Sequence, residues 1–297
     1  MALQIERASC TAHHWQTQLR IHGYCVVQDL VSPVQVAALN ADLAPQFAAT
    51  EFCRGDFYGE RTKRFGRLLT RSQHASAFVQ HPLIIDLVER ALGAWCDTIQ
   101  LNLTQAIEIH PGALRQVPHR DQDMWEGVKG EVEYLVNVMW PLTPYTQENG
   151  ATLVYPGSQG SHALDADQPT NNLAVEMVPG SALIFLGSTL HGAGGNRTDK
   201  IRRGLIVSYS LGWLKPYENQ WLAYPPEVAR HFSPELAALV GYRQHRPNLG
   251  NWEGLCPSVL LGERLPDRIG AVDALRPDQE EMVGAFRRSL DDTDGSR

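Results

Sequence analysis

The chain is short of basic charge. Its 26 lysines and arginines are outnumbered by 33 aspartates and glutamates, giving a net charge of -7 over 297 residues. Neutralising a phosphate backbone takes clustered cations, so the balance argues against nucleic acid as a partner. The basic runs Arg61-Thr62-Lys63-Arg64 and Lys200-Ile201-Arg202-Arg203 are short and isolated. Cysteine is also scarce. The five residues Cys10, Cys25, Cys53, Cys96 and Cys256 make an odd count with no Cys-x-x-Cys pair. That fits neither a disulfide framework nor a thiolate zinc site and suits a reducing compartment. No apolar run approaches the roughly 20 residues needed to span a bilayer. The first residues, Met-Ala-Leu-Gln-Ile-Glu-Arg, lack the apolar stretch of a secretory signal. The expectation is a cytoplasmic protein without a membrane partner. Internal repeats and long low-complexity linkers are missing as well.

What is present suits one large globular domain with decorations, since 43% of residues are hydrophobic and 20% charged. Residues 1–98 read as a mainly helical support. Within them Tyr24 to Val27 is a short apolar strand. Ser32-Pro33 supplies a helix cap and first-turn proline ahead of Val36, Leu39 and Leu43 at helical spacing. A second helix starts near Pro82, carries Ile84, Leu87, Val88 and Ala91 on one stripe, and stops at Gly93.

From Ile99 the period changes to two. Ile99, Leu101 and Leu103 alternate with polar residues, as do Val132, Tyr134, Val136, Val138 and Trp140. Further strands are expected at 151–155, 173–178, 182–186 and 203–211, separated by the turn signals Glu148-Asn149-Gly150, Pro156-Gly157-Ser158 and Pro179-Gly180-Ser181. Short strands at close spacing predict a mainly β fold with flanking helices, a cupin-like double-sheet jelly roll over 99–214. Residues 215–262 read as an irregular covering segment, and 263–297 as a tail ending in a frayed stretch.

The chemistry concentrates in two places. His119 and Asp121 are two apart, and in an extended segment both side chains point the same way. His191 follows 72 positions after His119, at the end of the apolar run Ala182 to Leu186 and at the start of the glycine-rich loop Gly192-Ala193-Gly194-Gly195. Two histidines and one carboxylate can hold one face of an octahedral metal and leave the other open, the facial triad of non-haem Fe(II) oxygenases. The small residues beside His191 leave room for a bidentate co-substrate. Further along this arm, the guanidinium of Arg202, or of its neighbour Arg203, could grip the far carboxylate of such a molecule. Asp123 competes with Asp121, but its spacing from His119 suits a helix. The other histidines, among them His74, His81, His110, His162, His231 and His245, sit in polar loop or cap contexts and read as surface residues. Phe57, Tyr58, Met124, Trp125 and Trp213 could face a substrate, although aromatics near strand ends more often pack a core.

Read together, Gln116-x-x-His119-Arg120-Asp121, Glu148-Asn149-Gly150-Ala151-Thr152-x-x-x-Pro156-Gly157-Ser158, Pro179-Gly180-Ser181-x-x-x-Phe185 and His191-Gly192-x-Gly194-x-Asn196-x-Thr198-x-x-x-Arg202 resemble the phytanoyl-CoA dioxygenase family. The motifs keep the family's order and cover roughly 15–215. The segment Gly212-Trp213-Leu214-Lys215-x-Tyr217-Glu218-Asn219-Gln220-x-Leu222 is similar to its natural-product tailoring branch. The resemblance implies a double-stranded β-helix enzyme dependent on Fe(II), 2-oxoglutarate and O2. It implies His119, Asp121 and His191 as iron ligands and as the catalytic centre, Arg202 as the clamp on 2-oxoglutarate, and Gln116, Thr152 and Arg64 as further contacts to it. A carboxylate at 121, where related halogenases leave a gap for halide, implies oxidation of hydroxylation type. A homodimer is the oligomeric state the resemblance carries.

The implied substrate is a small, mostly apolar metabolite of secondary metabolism. An acyl-CoA substrate is the alternative within the family, disfavoured by the acidic charge. A cupin-like enzyme holding zinc or nickel is the alternative outside it, and Arg202 with Gln116 argues against that. A non-catalytic paralogue is a third, and the intact triad argues against it.

Overall fold

The computed structural model describes residues 5–7, 11–165, 167–265 and 267–294. Two packed sheets form its centre. The larger has seven strands in the order β1-β2-β8-β5-β10-β4-β3, and the smaller has three in the order β7-β6-β9. The strands are β1 (Ile5–Arg7), β2 (Tyr24–Gln28), β3 (Thr62–Phe65), β4 (Ile99–Ile109), β5 (Leu135–Pro141), β6 (Thr152–Val154), β7 (Leu173–Ala174), β8 (Ala182–Leu186), β9 (His191–Ala193) and β10 (Arg202–Leu211). All pairings are antiparallel except β1 with β2. This is the jelly-roll arrangement expected from the short strands and turn signals, and it is not a closed barrel.

Local chemistry accounts for the flanking helices. Helix α1 (Ala12–His22) is capped by Thr11, which accepts from His14 N at 3.3 Å. Helix α2 (Pro33–Ala49) opens with a capping box, Gln35 N donating to Ser32 Oγ at 3.3 Å and Ser32 N to Gln35 Oε1 at 3.0 Å. Helix α3 (Pro82–Leu92) starts at its proline, stops at Gly93, and buries Ile84, Leu87, Val88 and Leu92. These helices pack one face of the large sheet in the main core, around Leu39, Phe78, Trp140 and Tyr209. A second apolar cluster, including Ile107, Ile109, Met139, Phe185 and Ile206, fills the space between the sheets.

Several expectations are refined. The basic run at 61–64 is mostly strand β3, and β1, β2 and β3 bring three strands of the N-terminal region into the large sheet. The alternation from Val132 does not mark an in-out strand, because β5 starts at Leu135 and is buried throughout. Val136, Val138 and Trp140 pack the main core on one face, and Asn137 and Met139 on the other face the space between the sheets, so neither face meets solvent. Residues 215–262 contain short helices at Gln220–Ala223, Pro226–Ala229, Pro234–Leu239 and a 3-10 turn at Pro257–Leu261. The stretch expected to fray is helical to Asp294 in α4 (Pro277–Asp294), and 295–297 lie outside the described residues. Among the described residues no helix is long and apolar enough to cross a membrane.

Candidate metal centre

A reciprocal backbone bridge places the two histidines opposite each other. His119 N donates to His191 O at 2.9 Å, and His191 N donates to His119 O at 3.0 Å. The same pairing continues as Gln116 N donates to Ala193 O at 2.9 Å. Gly192 lies in this seam. A Cβ there would stand 3.3 Å from Gln116 O and 3.4 Å from Val117 O, closer than most side chains tolerate. The chain turns immediately after the bridge, and Asp121 opens a 3-10 turn, Asp121–Met124, instead of continuing the extended segment. The turn still delivers its carboxylate to the histidines. His119 Nε2 is 3.5 Å from Asp121 Oδ1, and His191 Nε2 is 3.6 Å from Asp121 Oδ2.

The other ring nitrogens are already engaged. His119 Nδ1 lies 2.9 Å from Val117 O, and His191 Nδ1 lies 3.0 Å from Thr189 O. A carbonyl accepts only from an N–H, so both rings carry a proton on Nδ1 and turn Nε2 inward. Asn137 Nδ2 donates to Asp121 Oδ2 at 3.0 Å and holds the carboxylate. Burial pushes Asp121 upward, but the electrostatic influence of His191 and His119 and the hydrogen bonds of His119 and Asn137 outweigh it and hold its pKa at about 2. Burial pushes His191 down. At His119 burial pulls down, but the hydrogen bond and charge of Asp121 outweigh it and raise the pKa. An ionised carboxylate and a neutral His191 suit a cation, which would displace the proton that His119 shares with Asp121. Among the described residues His119, Asp121 and His191 form one group whose ligand atoms all lie within 4.8 Å of one another. Asp123 is outside it, paired with Lys129 Nζ at 2.7 Å.

A cavity opens from this group, lined by Arg202, Arg64, Gln116 and Thr152 as well as by the triad. Arg202 is 2% exposed, and its Nε has no hydrogen-bond partner among the described residues. One arm of its fork donates to Gly150 O, and its Cζ lies 4.2 Å from the centre of the Tyr145 ring. Its position follows from Asn196, whose Nδ2 donates to Ile109 O at 3.0 Å and Lys200 O at 2.8 Å and so shapes the turn into β10. Arg203 faces the other side of the sheet, where its Nε is 2.7 Å from Glu108 Oε1 and its guanidinium packs over Phe47. Arg64 donates to Gln105 Oε1 at 3.1 Å, and its Nε is buried without a partner. Gln116 bridges Phe57 O and Ala193 N, and Thr152 is buried in β6 opposite Ala193.

Of the candidate substrate-facing residues, Phe57, Tyr58 and Met124 line the cavity, whereas Trp125 donates to Lys215 O and Trp213 to Trp95 O. Sequence reasoning did not single out Asn137, Tyr145, Asn102 or Ser208. The polar Asn137 inside the apolar run Val136 to Trp140 is the one signal that marked any of them.

The sequence pattern of the phytanoyl-CoA dioxygenase (PhyH) family matches residues 19–204. The chain is 31% identical over 256 residues to dioxygenase FrzG of Cladobotryum sp, covering 77% of this chain and 84% of that protein. It is 30% identical over 275 residues to dioxygenase swnH1 of Metarhizium robertsii, covering 85% and 88%. In fold it is similar to the non-haem α-ketoglutarate-dependent epimerase SnoN from nogalamycin biosynthesis, with TM-score 0.58, 21% identity and 69% and 86% of the two chains covered. It is also similar to HygX of Streptomyces hygroscopicus, solved with nickel and 2-oxoglutarate, with TM-score 0.56, 12% identity and 70% and 91% covered.

Proposed function

The chain belongs to the phytanoyl-CoA dioxygenase family and is an Fe(II)- and 2-oxoglutarate-dependent dioxygenase; from that premise we propose that it oxidises a C–H bond of a small, mostly apolar metabolite, with His119, Asp121 and His191 as the iron ligands and Arg202 as the clamp on 2-oxoglutarate. The observation that carries the assignment is Arg202, a buried guanidinium with an unpartnered Nε in the cavity of the triad. A buried cation without a counter-ion is costly, and a carboxylate would satisfy it. Zinc or nickel hydrolases built on the same ligands need no such clamp. The fold neighbour SnoN, an enzyme of nogalamycin biosynthesis, supports secondary metabolism as the setting.

Each residue then has a defined task. The backbone carbonyls of Val117 and Thr189 orient the two imidazoles, and Asn137 holds Asp121. The Tyr145 ring packs against the Arg202 guanidinium and helps to fix its place in the cavity. Gln116, Thr152 and Arg64 supply further polar contacts to the co-substrate. Phe57, Leu103, Leu135 and Met124 keep water from the reacting centre. Iron held there supplies the redox chemistry that couples decarboxylation of 2-oxoglutarate, to succinate and CO2, to oxidation of the substrate by O2. We propose further that the chain works as a single oxygenase unit, with 215–262 covering the jelly roll.

The test is anaerobic titration of Fe(II) and 2-oxoglutarate into the metal-free protein, followed by a screen of metabolites for succinate release. One equivalent of each is expected to bind. Activity that persists in metal-free protein with a chelator present would overturn the iron assignment.

A further inference from the structure

Two phenols from distant parts of the chain meet at the cavity. Tyr58 stands on the loop before β3 and Tyr217 on the segment after β10. Their hydroxyls hydrogen-bond each other, and both residues line the cavity that holds the triad. Tyr217 is 46% exposed, which places the pair at the mouth.

Both backbones are held independently of that bond. Thr62 Oγ1 donates to Tyr58 O at 2.7 Å, and Gln116 Nε2 donates to the adjacent Phe57 O at 3.1 Å. Tyr217 N donates to Asn102 Oδ1 at 2.7 Å, and the Glu218 carboxylate accepts from Arg67 N at 2.8 Å. Asn102 in turn donates to Ser208 Oγ at 2.9 Å, and both line the cavity. The phenols are therefore preorganised, and an approaching group need only compete for one exposed hydrogen bond.

Two hydroxyls carry two protons, and their mutual bond uses one. The second proton is left for a third oxygen, and neither hydroxyl has another partner among the described residues. A hydrocarbon at the mouth would cover this proton without satisfying it. With 2-oxoglutarate taking Arg202 and Arg64, the two arginines that line the cavity, a second carboxylate would enter beside the ionised Asp121 without a cation of its own. A neutral hydroxyl or carbonyl oxygen meets neither penalty. Burial and the bond to Tyr58 push Tyr217 up to about 12, so its hydroxyl stays neutral near pH 7.

We propose that Tyr58 and Tyr217 form a specificity-determining clamp for a neutral oxygen of the substrate, so that the enzyme acts on neutral hydroxylated or carbonyl-bearing small molecules and discriminates against hydrocarbons and carboxylic acids. The inference rests on the reading of this cavity as the oxygenase site.

The test uses the anaerobic Fe(II)- and 2-oxoglutarate-loaded protein and four matched probes: decalin, 1-decalol, 1-decalone and decalin-1-carboxylate. Binding is read by calorimetry. Wild type is expected to bind the alcohol or ketone roughly tenfold more tightly than decalin, as one well-placed neutral hydrogen bond allows, and to bind the carboxylate no better than decalin. Tyr58→Phe and Tyr217→Phe should each reduce the preference, and the double variant should erase it. Equal binding of decalin, a preference for the carboxylate, no binding of either oxygenated probe, or a preference retained in the double variant would each overturn the proposal. A separate 2-oxoglutarate titration of the wild type tests the underlying reading. No binding there would overturn that reading, and the proposal with it.

Discussion

Arg202 and Arg203 are neighbours in sequence and opposites in environment. In β10 successive side chains leave opposite faces of the sheet, so Arg202 enters the cavity while Arg203 meets Glu108 and Phe47 outside it. Arg202→Ala is expected to leave the distal carboxylate of 2-oxoglutarate unpaired at a cost of about 3–5 kcal/mol. That is roughly two to three and a half decades in co-substrate affinity, read by titration. Arg202→Lys should recover charge without the fork and only part of the binding. Arg203→Ala should leave the affinity nearly unchanged but lower stability by about 1–3 kcal/mol, because the buried Glu108 loses its guanidinium and keeps only His110. A large affinity loss in Arg203→Ala alone would reassign the clamp. The two aspartates divide in the same way. Asp121→Ala should abolish substrate-dependent succinate release, whereas Asp123→Ala removes an exposed ion pair and should be mild. The reverse order would identify the wrong carboxylate.

At the scale of elements, capping chemistry made helices legible. Ser32-Pro33 and Pro82 with Gly93 mark α2 and α3 where the structure has them. The short strands β1 and β3 were not legible, because three or four residues with charged side chains carry no period of their own and are strands through pairing with β2 and β4. β10 also shows why a strand can require a residue that propensity disfavours. A methyl group on Gly204 would collide with the Tyr145 hydroxyl, which packs two positions beyond Arg202. Gly204→Ala should therefore destabilise the protein by about 1–3 kcal/mol as an overpacked site and weaken 2-oxoglutarate binding by displacing Tyr145. Pairing it with Tyr145→Phe should recover part of the stability in urea denaturation. Additive losses in the double variant would show that the two residues do not press on each other.

For the whole molecule, pH dependence of stability has a specific source in Glu133. Its carboxylate accepts from Ser188 N at 3.0 Å and Ser188 Oγ at 2.6 Å, tying the start of β5 to the loop before His191. Burial raises its pKa from 4.5 to about 7 against those hydrogen bonds. A carboxyl that holds its proton more tightly when folded makes the native state bind more protons than the unfolded one. Its contribution is full below 4.5, falls as pH rises toward about 7, and is flat above that. Glu133→Gln should remove that decline between pH 5 and 7 in urea midpoints, and an unchanged slope would assign it to other groups. The sequence by itself determined the helix caps, the mainly β composition and the residue types of the triad, because those are local patterns of side-chain chemistry and period. Only the tertiary structure decided that the segment turns at Asp121, that Asn137 holds it, that Arg202 rather than Arg203 lines the cavity, and that Tyr58 meets Tyr217. These depend on strand register and on contacts between residues 16 to 159 positions apart, where the outcome is set by which backbones pair and not by any neighbour in the chain.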